Sequence, residues 1–198
     1  MTSLADLAAR LGRFRYVELR LFEVMGDWVA STPEPRAKLL LAEQCYHHAW
    51  HAQLWVERFP QGYGHDVAEA TAAGAEQLGA WLDELAGLQG TVARLAGLHR
   101  VVIPRLAVAY RGWLEGADRV ADGPLLRWLQ FASADETADW QRGEQLLQDL
   151  LVDQESVDAA VAAQVRIESS VVAHGGLWGR RPSPERRSAG NAPPGGSS

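Results

Sequence analysis

The sequence has little cysteine and an excess of acidic over basic residues, and each feature narrows what the protein can be. Cys45 is the only cysteine among 198 residues, which excludes an intrachain disulfide framework and favours a reducing, cytoplasmic compartment. Asp and Glu number 25 against 19 Lys and Arg, so the formal net charge is -6. A general nucleic-acid-binding protein needs a basic face, and we therefore expect no nucleic-acid partner.

Long apolar runs are also missing. No uninterrupted apolar stretch approaches the roughly 20 residues that cross a bilayer, and residues 1–13 lack the basic-then-apolar layout of a secretory signal. We therefore expect no membrane association. Apolar residues make up 47% of the chain and charged residues 22%, which is typical of a soluble globular domain with a sizeable core.

Apolar periodicity, capping residues and turn residues predict an all-α protein with no convincing strand. Pro104 should kink or interrupt the fourth helix, because proline lacks the N–H that an interior helical residue donates. Residues 1–173 are expected to form one helical domain, and residues 174–198, rich in Gly, Pro, Ser and Arg, a disordered tail. The predicted helices span approximately residues 3–30, 35–59, 66–88, 90–115, 125–151 and 154–172.

Two predicted helices carry a glutamate within the face that should pack against the core. Glu18 falls in the middle of the apolar face of the first helix, and Glu136 has the same place in the fifth, with Asp139 at the edge of that face. An ionised carboxylate is costly to bury unless it is paired or coordinated. Two such residues in one small domain favour a shared polar site, with a buried ion pair to an arginine such as Arg100 or Arg105 as the alternative.

The second helix adds histidines. Glu43, His47 and His51 are spaced four residues apart and form one polar stripe, and a histidine pair at this spacing can chelate a metal. His48 falls instead on the main apolar face, where we interpret it as a core histidine. The helix is apolar around most of its circumference, so the sequence does not decide which stripe faces the interior. His99 in the fourth helix is a further candidate ligand, with a structural hydrogen-bonding role as the alternative.

Over about residues 3–151 this layout resembles the ferritin-like superfamily, in which two helices each give one Glu to a metal centre and two others each give Glu-x-x-His. Glu18 matches the single Glu of the first helix. Ala-Glu-Gln-Cys-Tyr-His at 42–47 resembles the second-helix motif, with Gln44 where the bridging Glu is expected. Ala-Asp-Glu-Thr-Ala-Asp at 134–139 resembles the fourth-helix motif, with an aspartate in the place of histidine.

The resemblance implies a four-helix bundle with a helical crossover at residues 60–89 and an extra C-terminal helix. It further implies a bound iron or manganese ion and an oxidoreductase activity on a small-molecule substrate. The ligands it implies are Glu18, His47, Glu136 and Asp139, completed by His99 or His51, with Gln44, Glu43 and Tyr46 as hydrogen-bonding groups around them.

Two other functions stay open at this point. The departures at Gln44 and Asp139 favour a bundle that has lost its metal and uses the polar pocket to bind a small molecule. The third alternative is a non-catalytic helical protein that forms a homodimer or binds another protein through an exposed helix face, such as that of the last predicted helix.

Overall fold

The computed structural model describes residues 3–60, 64–120 and 122–178, and every regular element within them is helical, which confirms the all-α prediction. The end of the predicted tail, from residue 179, lies outside the described residues. Of the described helices, none is both long enough and apolar enough to cross a bilayer. The helices are α1 (Leu4–Ser31), α2 (Pro35–Glu57), α3 (Val67–Ala86), α4 (Thr91–Gly97), α5 (Ile103–Gly116), α6 (Gly123–Leu150) and α7 (Gln154–Ala173), with a π-helical turn (Leu98–Val102) and a 3-10 turn (Gly176–Trp178).

The helix ends follow from local residue chemistry. Ser3 Oγ accepts a hydrogen bond from the Asp6 N–H at 3.1 Å, and the Asp6 carboxylate accepts one from the Ser3 N–H at 3.3 Å. This reciprocal pair satisfies two of the N–H groups that a helix start leaves without partners. Glu34 accepts from the backbone at the start of α2, where Pro35 is the first residue, and Asp153 caps α7.

The helices pack mainly in pairs. α1 lies along both α2 and α3, α5 lies along α6, and α4 lies along α7. α2 also contacts α6, so α1, α2, α5 and α6 surround a common interior. The largest fully buried side chains of the described residues include Trp55, Trp81, Tyr110 and Phe14. Removing each such side chain from water stabilises the fold by about 1.5–3 kcal/mol before conformational entropy is counted.

The interruption expected at Pro104 is the π-helical turn that precedes it. In this turn the N–H of Ile103 reaches back five residues to the carbonyl of Leu98. Pro104 has no N–H to give to the preceding turn, so the regular i to i-4 ladder cannot continue through it. The π-helical turn has one residue more than a regular helical turn, and it connects α4 to α5. Within it, His99 is fully buried.

A close approach between α1 and α3 depends on one glycine. A Cβ at Gly12 would lie 2.5 Å from the carbonyl oxygen of Ala70, which is backbone and cannot rotate away. The two helices therefore touch at a separation that only glycine permits at this position. At Gly112 on α5, in contrast, a Cβ would meet no atom within 4 Å apart from the backbone of its own helix.

We expect Gly12→Ala to lower the free energy of unfolding by about 1–3 kcal/mol, because α1 and α3 must separate to admit the methyl group. Gly112→Ala is the matched control, and it should be neutral or stabilising by up to ~1 kcal/mol through its helix propensity. Urea unfolding followed by circular dichroism measures both. Equal stability of the two variants would contradict the packing argument.

Candidate metal centre

Four polar side chains from three helices meet in the interior. Glu18 from α1, His48 and His51 from α2, and Glu136 from α6 each offer a ligand atom, and these atoms all lie within 4.8 Å of one another. All four residues have no solvent-exposed surface. We call these four residues the Glu–His cluster.

The rotation of α2 about its axis decides which of its polar residues reach the cluster. Its inward stripe is spaced by four, three and four residues, which keeps the side chains on one helix face. This stripe consists of Gln44, His48, His51 and Trp55, all fully buried. Tyr46 lies on the opposite side, where 67% of its surface is exposed.

Within the Glu–His cluster, both histidines turn Nδ1 toward the two carboxylates. His48 Nδ1 lies 2.5 Å from Glu18 Oε2 and 3.5 Å from Glu136 Oε1. His51 Nδ1 lies 3.6 Å from Glu18 Oε1 and 3.3 Å from Glu136 Oε1. Two carboxylates and two imidazole nitrogens therefore point at one small volume.

Further groups hold the cluster from outside. The Tyr110 hydroxyl donates a hydrogen bond to Glu18 Oε1, and Trp55 Nε1 donates to the Tyr110 oxygen at 3.2 Å. On the α6 side, His51 Nε2 lies 3.1 Å from Asp135 Oδ2. The position of Glu18 is thus set by α2 and α5 together, and that of His51 by α6.

The pKa values of the two glutamates are shifted in opposite directions. Burial alone would raise the pKa of Glu18, but the charges of His48 and His51 outweigh it and lower this pKa to about 2. The pKa of Glu136 is raised, chiefly by burial and also by the charge of Glu18, against the opposing effect of the histidines. Burial opposes the charging of both histidines, yet the surrounding carboxylates raise their pKa values above 6.5.

Several buried atoms of the cluster have no hydrogen-bond partner among the described residues. They are both carboxylate oxygens of Glu136, Nε2 of His48 and Nδ1 of His51. Buried polar atoms in folded proteins almost always have a partner, because an unpaired one loses its hydration without replacement. Two of these atoms, His51 Nδ1 and Glu136 Oε1, lie 3.3 Å apart inside the cluster, whereas His48 Nε2 is on the side of its ring away from the carboxylates. A bound cation would satisfy the carboxylate oxygens and the Nδ1 lone pair together.

Beside the Glu–His cluster lies a second polar network built around Gln44. Its amide nitrogen donates to the backbone carbonyl of Asp139 at 3.1 Å, and its Oε1 lies 3.0 Å from His99 Nε2. The Asp139 carboxylate lies 2.8 Å from His47 Nδ1. Burial lowers the pKa of His99 to about 4, so this ring is neutral near pH 7. Apart from His47, whose side chain is 21% exposed, the network is buried, and no described hydrogen bond joins it to the Glu–His cluster.

The structure therefore divides the six candidate ligands. It brings Glu18, His51 and Glu136 together, and it places His47 and Asp139 in a pair outside the cluster. His99 likewise lies in the Gln44 network, where it has the structural hydrogen bonds considered as the alternative.

His48 occupies the position that the sequence pattern predicts for His47. Successive residues on a helix differ in direction by about 100°, so only one of the two can face the interior. The core interpretation of His48 is correct as to burial, but it omits that the ring lies against two carboxylates. The same criterion that identified Glu18 and Glu136, a polar residue within an apolar face, would also have identified His48.

Of the three residues expected around the ligands, one lies in the interior and two lie at the surface. Gln44 is buried and bridges two elements, whereas Glu43 forms a surface ion pair with Arg142 at 2.5 Å and Tyr46 faces solvent. Glu43 and Tyr46 both lie on the outer face of α2, and neither hydrogen-bonds to the Glu–His cluster among the described contacts.

The arginine alternative for the buried glutamates is also not what the structure shows. Arg100 pairs with Glu144 on α6 at 3.0 Å, and Arg105 pairs with Glu168 on α7. Neither arginine reaches Glu18 or Glu136 in the described ion pairs, so histidines provide the nearest positive charge.

Comparisons of the chain with protein-family models, with curated proteins and with solved structures each found no match. What the geometry offers is a buried set of two carboxylates and two imidazoles, with a tyrosine hydroxyl and an aspartate directly behind it.

Without metal, the stability of the protein should fall as the pH rises from 6.5 to 9. Folding raises the pKa of His48 and His51 above 6.5, so their contribution is fully present below that pH and is lost as the pH passes the raised values. Each unit by which folding raises a histidine pKa corresponds to about 1.4 kcal/mol. Urea unfolding in excess EDTA across this range measures the loss.

The variant His51→Gln should flatten this pH dependence, because one of the two titrating rings is gone. His65→Gln is the control, since His65 lies in the segment before α3 and outside the cluster, and it should keep the wild-type slope. A wild-type stability that stays level from pH 6.5 to 9 would show that the histidines are not coupled to the carboxylates as described.

Proposed function

We propose that this protein binds one divalent transition-metal ion, iron(II) or manganese(II), through the Glu–His cluster. The observation that carries the proposal is the convergence of four fully buried ligand atoms of which Glu136 provides an oxygen with no hydrogen-bond partner among the described residues. A carboxylate in that state is costly for a metal-free protein and ordinary for a metal ligand.

The charge of the cluster fits a divalent ion. Two ionised glutamates contribute two negative charges, and two neutral imidazoles contribute none, so a divalent cation leaves the buried site without net charge. Oxygen and imidazole ligands suit iron and manganese, whereas soft sites use thiolates. Cys45, the one thiol, is not among the ligands, because its Sγ donates to the Phe22 carbonyl at 3.3 Å.

The architecture we propose for this centre is ferritin-like. Its support is that α1, α2, α5 and α6 surround one interior, with α3 and α4 between the two halves, and that α1 and α6 each bring a glutamate inward. The ligand pattern departs from Glu-x-x-His on both α2 and α6, since His48-x-x-His51 replaces it on α2 and Asp139 ends it on α6.

These departures favour a single ion over a pair. A second ion would need further ligand atoms beside the first. Gln44 hydrogen-bonds to the Asp139 carbonyl and to His99, and Asp139 Oδ2 pairs with His47. Asp139 Oδ1 is the oxygen of this carboxylate left without a hydrogen-bond partner among the described residues, and a single oxygen is too few to hold a second ion. The four residues of the Glu–His cluster are close enough to one another to share one ion.

A redox-active ion at this site would supply one-electron or Lewis-acid chemistry to a small molecule, which makes an oxidoreductase the activity we propose. The protein shields the site from bulk solvent, because all four cluster residues are fully buried. Tyr110 keeps its proton beside Glu18, since burial and the two carboxylates raise its pKa well above 10. The complete burial limits direct access to small reactants.

One observation favours a second candidate, a metal-free bundle that binds a small molecule or a protein partner without redox catalysis. Glu18 has a pKa of about 2, and the pKa values of both histidines are raised, so protons on the histidines can balance the carboxylates without a metal. The two candidates differ in whether the histidines hold protons or metal.

Metal analysis of protein purified without a histidine tag should find close to one iron or manganese per chain. Glu18→Gln and Glu136→Gln should each abolish it, because each removes an anionic oxygen ligand while keeping the side-chain shape. Glu144→Gln is the matched control on the same helix as Glu136, since Glu144 pairs with Arg100 outside the cluster. Manganese at 100 times its dissociation constant should stabilise the wild type by about 2.7 kcal/mol.

Two results would decide against this proposal. Substoichiometric iron, manganese and zinc with no uptake on reconstitution would overturn the metalloprotein function and favour the metal-free bundle. Full metal retention in both glutamine variants would place the bound ion elsewhere on the chain.

The stabilisation that manganese gives should grow from pH 6 to pH 8.5, opposite to the trend of the metal-free protein. His48 and His51 have raised pKa values, so both must release protons before their nitrogens can bind metal. Each proton displaced changes the affinity by about tenfold per pH unit below the histidine pKa. Thermal unfolding with and without manganese at each pH measures the difference, and a pH-independent difference would exclude histidine ligands.

A further inference from the structure

The two histidines of the Glu–His cluster differ in what holds the ring from behind. His51 turns Nδ1 toward Glu18 and Glu136 and has Asp135 Oδ2 at 3.1 Å from Nε2. His48 also turns Nδ1 inward, but its Nε2 is buried and has no hydrogen-bond partner among the described residues. Only His51 therefore has a carboxylate behind the ring.

The carboxylate fixes which nitrogen of His51 carries hydrogen. An ionised carboxylate can only accept, so the contact requires a hydrogen on Nε2. The neutral imidazole has one N–H, and placing it on Nε2 leaves the lone pair on Nδ1, the atom that faces the cluster. The opposite tautomer would direct an N–H at the volume where a cation is proposed.

Helix geometry explains why Asp135 and Glu136, although adjacent in sequence, contact opposite sides of the His51 ring. Asp135 and Glu136 are consecutive on α6, so their side chains point about 100° apart around the helix axis. Glu136 enters the interior, while Asp135 stays at its boundary with 32% of its side chain exposed and reaches His51 from outside. Asp135 lies in the middle of α6, away from the helix ends where an acid would serve as a cap.

We propose that Asp135 is a positioning residue of the metal site, which holds His51 in the orientation and tautomer that present Nδ1 to the ion. This inference rests on the proposed metal function and adds a residue that is not itself a ligand. Carboxylates behind metal-bound histidines raise the basicity of the ligand nitrogen and fix the ring. His48 has no such partner among the described residues. Loss of the Asp135 carboxylate should therefore weaken metal affinity through His51 and not through His48.

The first test compares manganese affinity in the wild type, Asp135→Asn and Asp135→Glu. Asp135→Asn keeps the shape but removes the charge and offers an N–H to Nε2, so we expect about 10–100-fold weaker binding. Asp135→Glu keeps the accepting carboxylate and should recover part of the loss. Asp149→Asn on the same helix is the control, because Asp149 pairs with Arg36 at the surface, and it should bind as the wild type does.

The second test reads the ring directly. In zinc-loaded protein labelled with 15N-histidine, long-range 1H–15N correlation should show His51 coordinated through Nδ1 with a proton on Nε2. In Asp135→Asn the same ring should lose this single state, which loss of packing alone would not produce. This measurement on the wild type needs no variant, so the inference stays testable even if a substitution prevents folding.

The outcomes separate the two proposals. A wild type that binds neither manganese nor zinc overturns the metal function, and the positioning role falls with it. A wild type that binds metal while Asp135→Asn binds equally well overturns only the positioning role, and so does zinc bound through Nε2 of His51.

Discussion

The burial of two glutamates in one apolar interior is the constraint on which the rest of this structure depends. Glu18 and Glu136 come from helices far apart in sequence, and neither has any exposed surface. A carboxylate moved out of water needs an opposite charge or hydrogen-bond donors to stay ionised. The structure supplies the two histidines from α2 and the Tyr110 hydroxyl from α5. The inward faces of these helices therefore have to satisfy the glutamates as well as pack the apolar core.

Glu18 and Glu136 do not receive the same number of hydrogen bonds, and this difference supports the proposal that a cation binds between them. Glu18 receives the Tyr110 hydroxyl and lies 2.5 Å from His48, and its pKa falls to about 2. Glu136 lies within ion-pair distance of the same histidines but accepts no hydrogen bond among the described residues, and its pKa is raised. Glu18 thus has both hydrogen bonds and ion pairs within the protein, whereas Glu136 has the two histidines at ion-pair distance but no hydrogen bond among the described residues. The proposed cation site would have this form, because ligands that satisfied one another fully would have nothing left to coordinate.

The helices and the two glutamates could be predicted from the sequence, because both signals are local. Ser3, Pro35 and Asp153 mark helix starts through capping chemistry, and a glutamate within an apolar face is visible on a helical wheel. The rotation of α2 could not be predicted, because that helix is apolar around most of its circumference. Its orientation depends on tertiary partners, with Glu43 held outside by Arg142 and His48 held inside by Glu18. Pro104 likewise predicts an interruption of its helix, but it does not specify that the interruption takes the form of a π-helical turn.

Gln44, where the ferritin-like pattern expects a glutamate, bears on how many ions the proposed site would hold. Its amide donates to the Asp139 carbonyl and its oxygen faces His99, so one neutral side chain closes the interior between two polar groups. A glutamate at this position would bring another buried negative charge next to Asp139, whose pKa burial already raises. With an amide instead, the anionic groups that face the central volume remain Glu18 and Glu136, and their two charges match one divalent ion. The residue that makes the motif irregular is therefore the one that would keep the charge of the proposed single-ion site balanced.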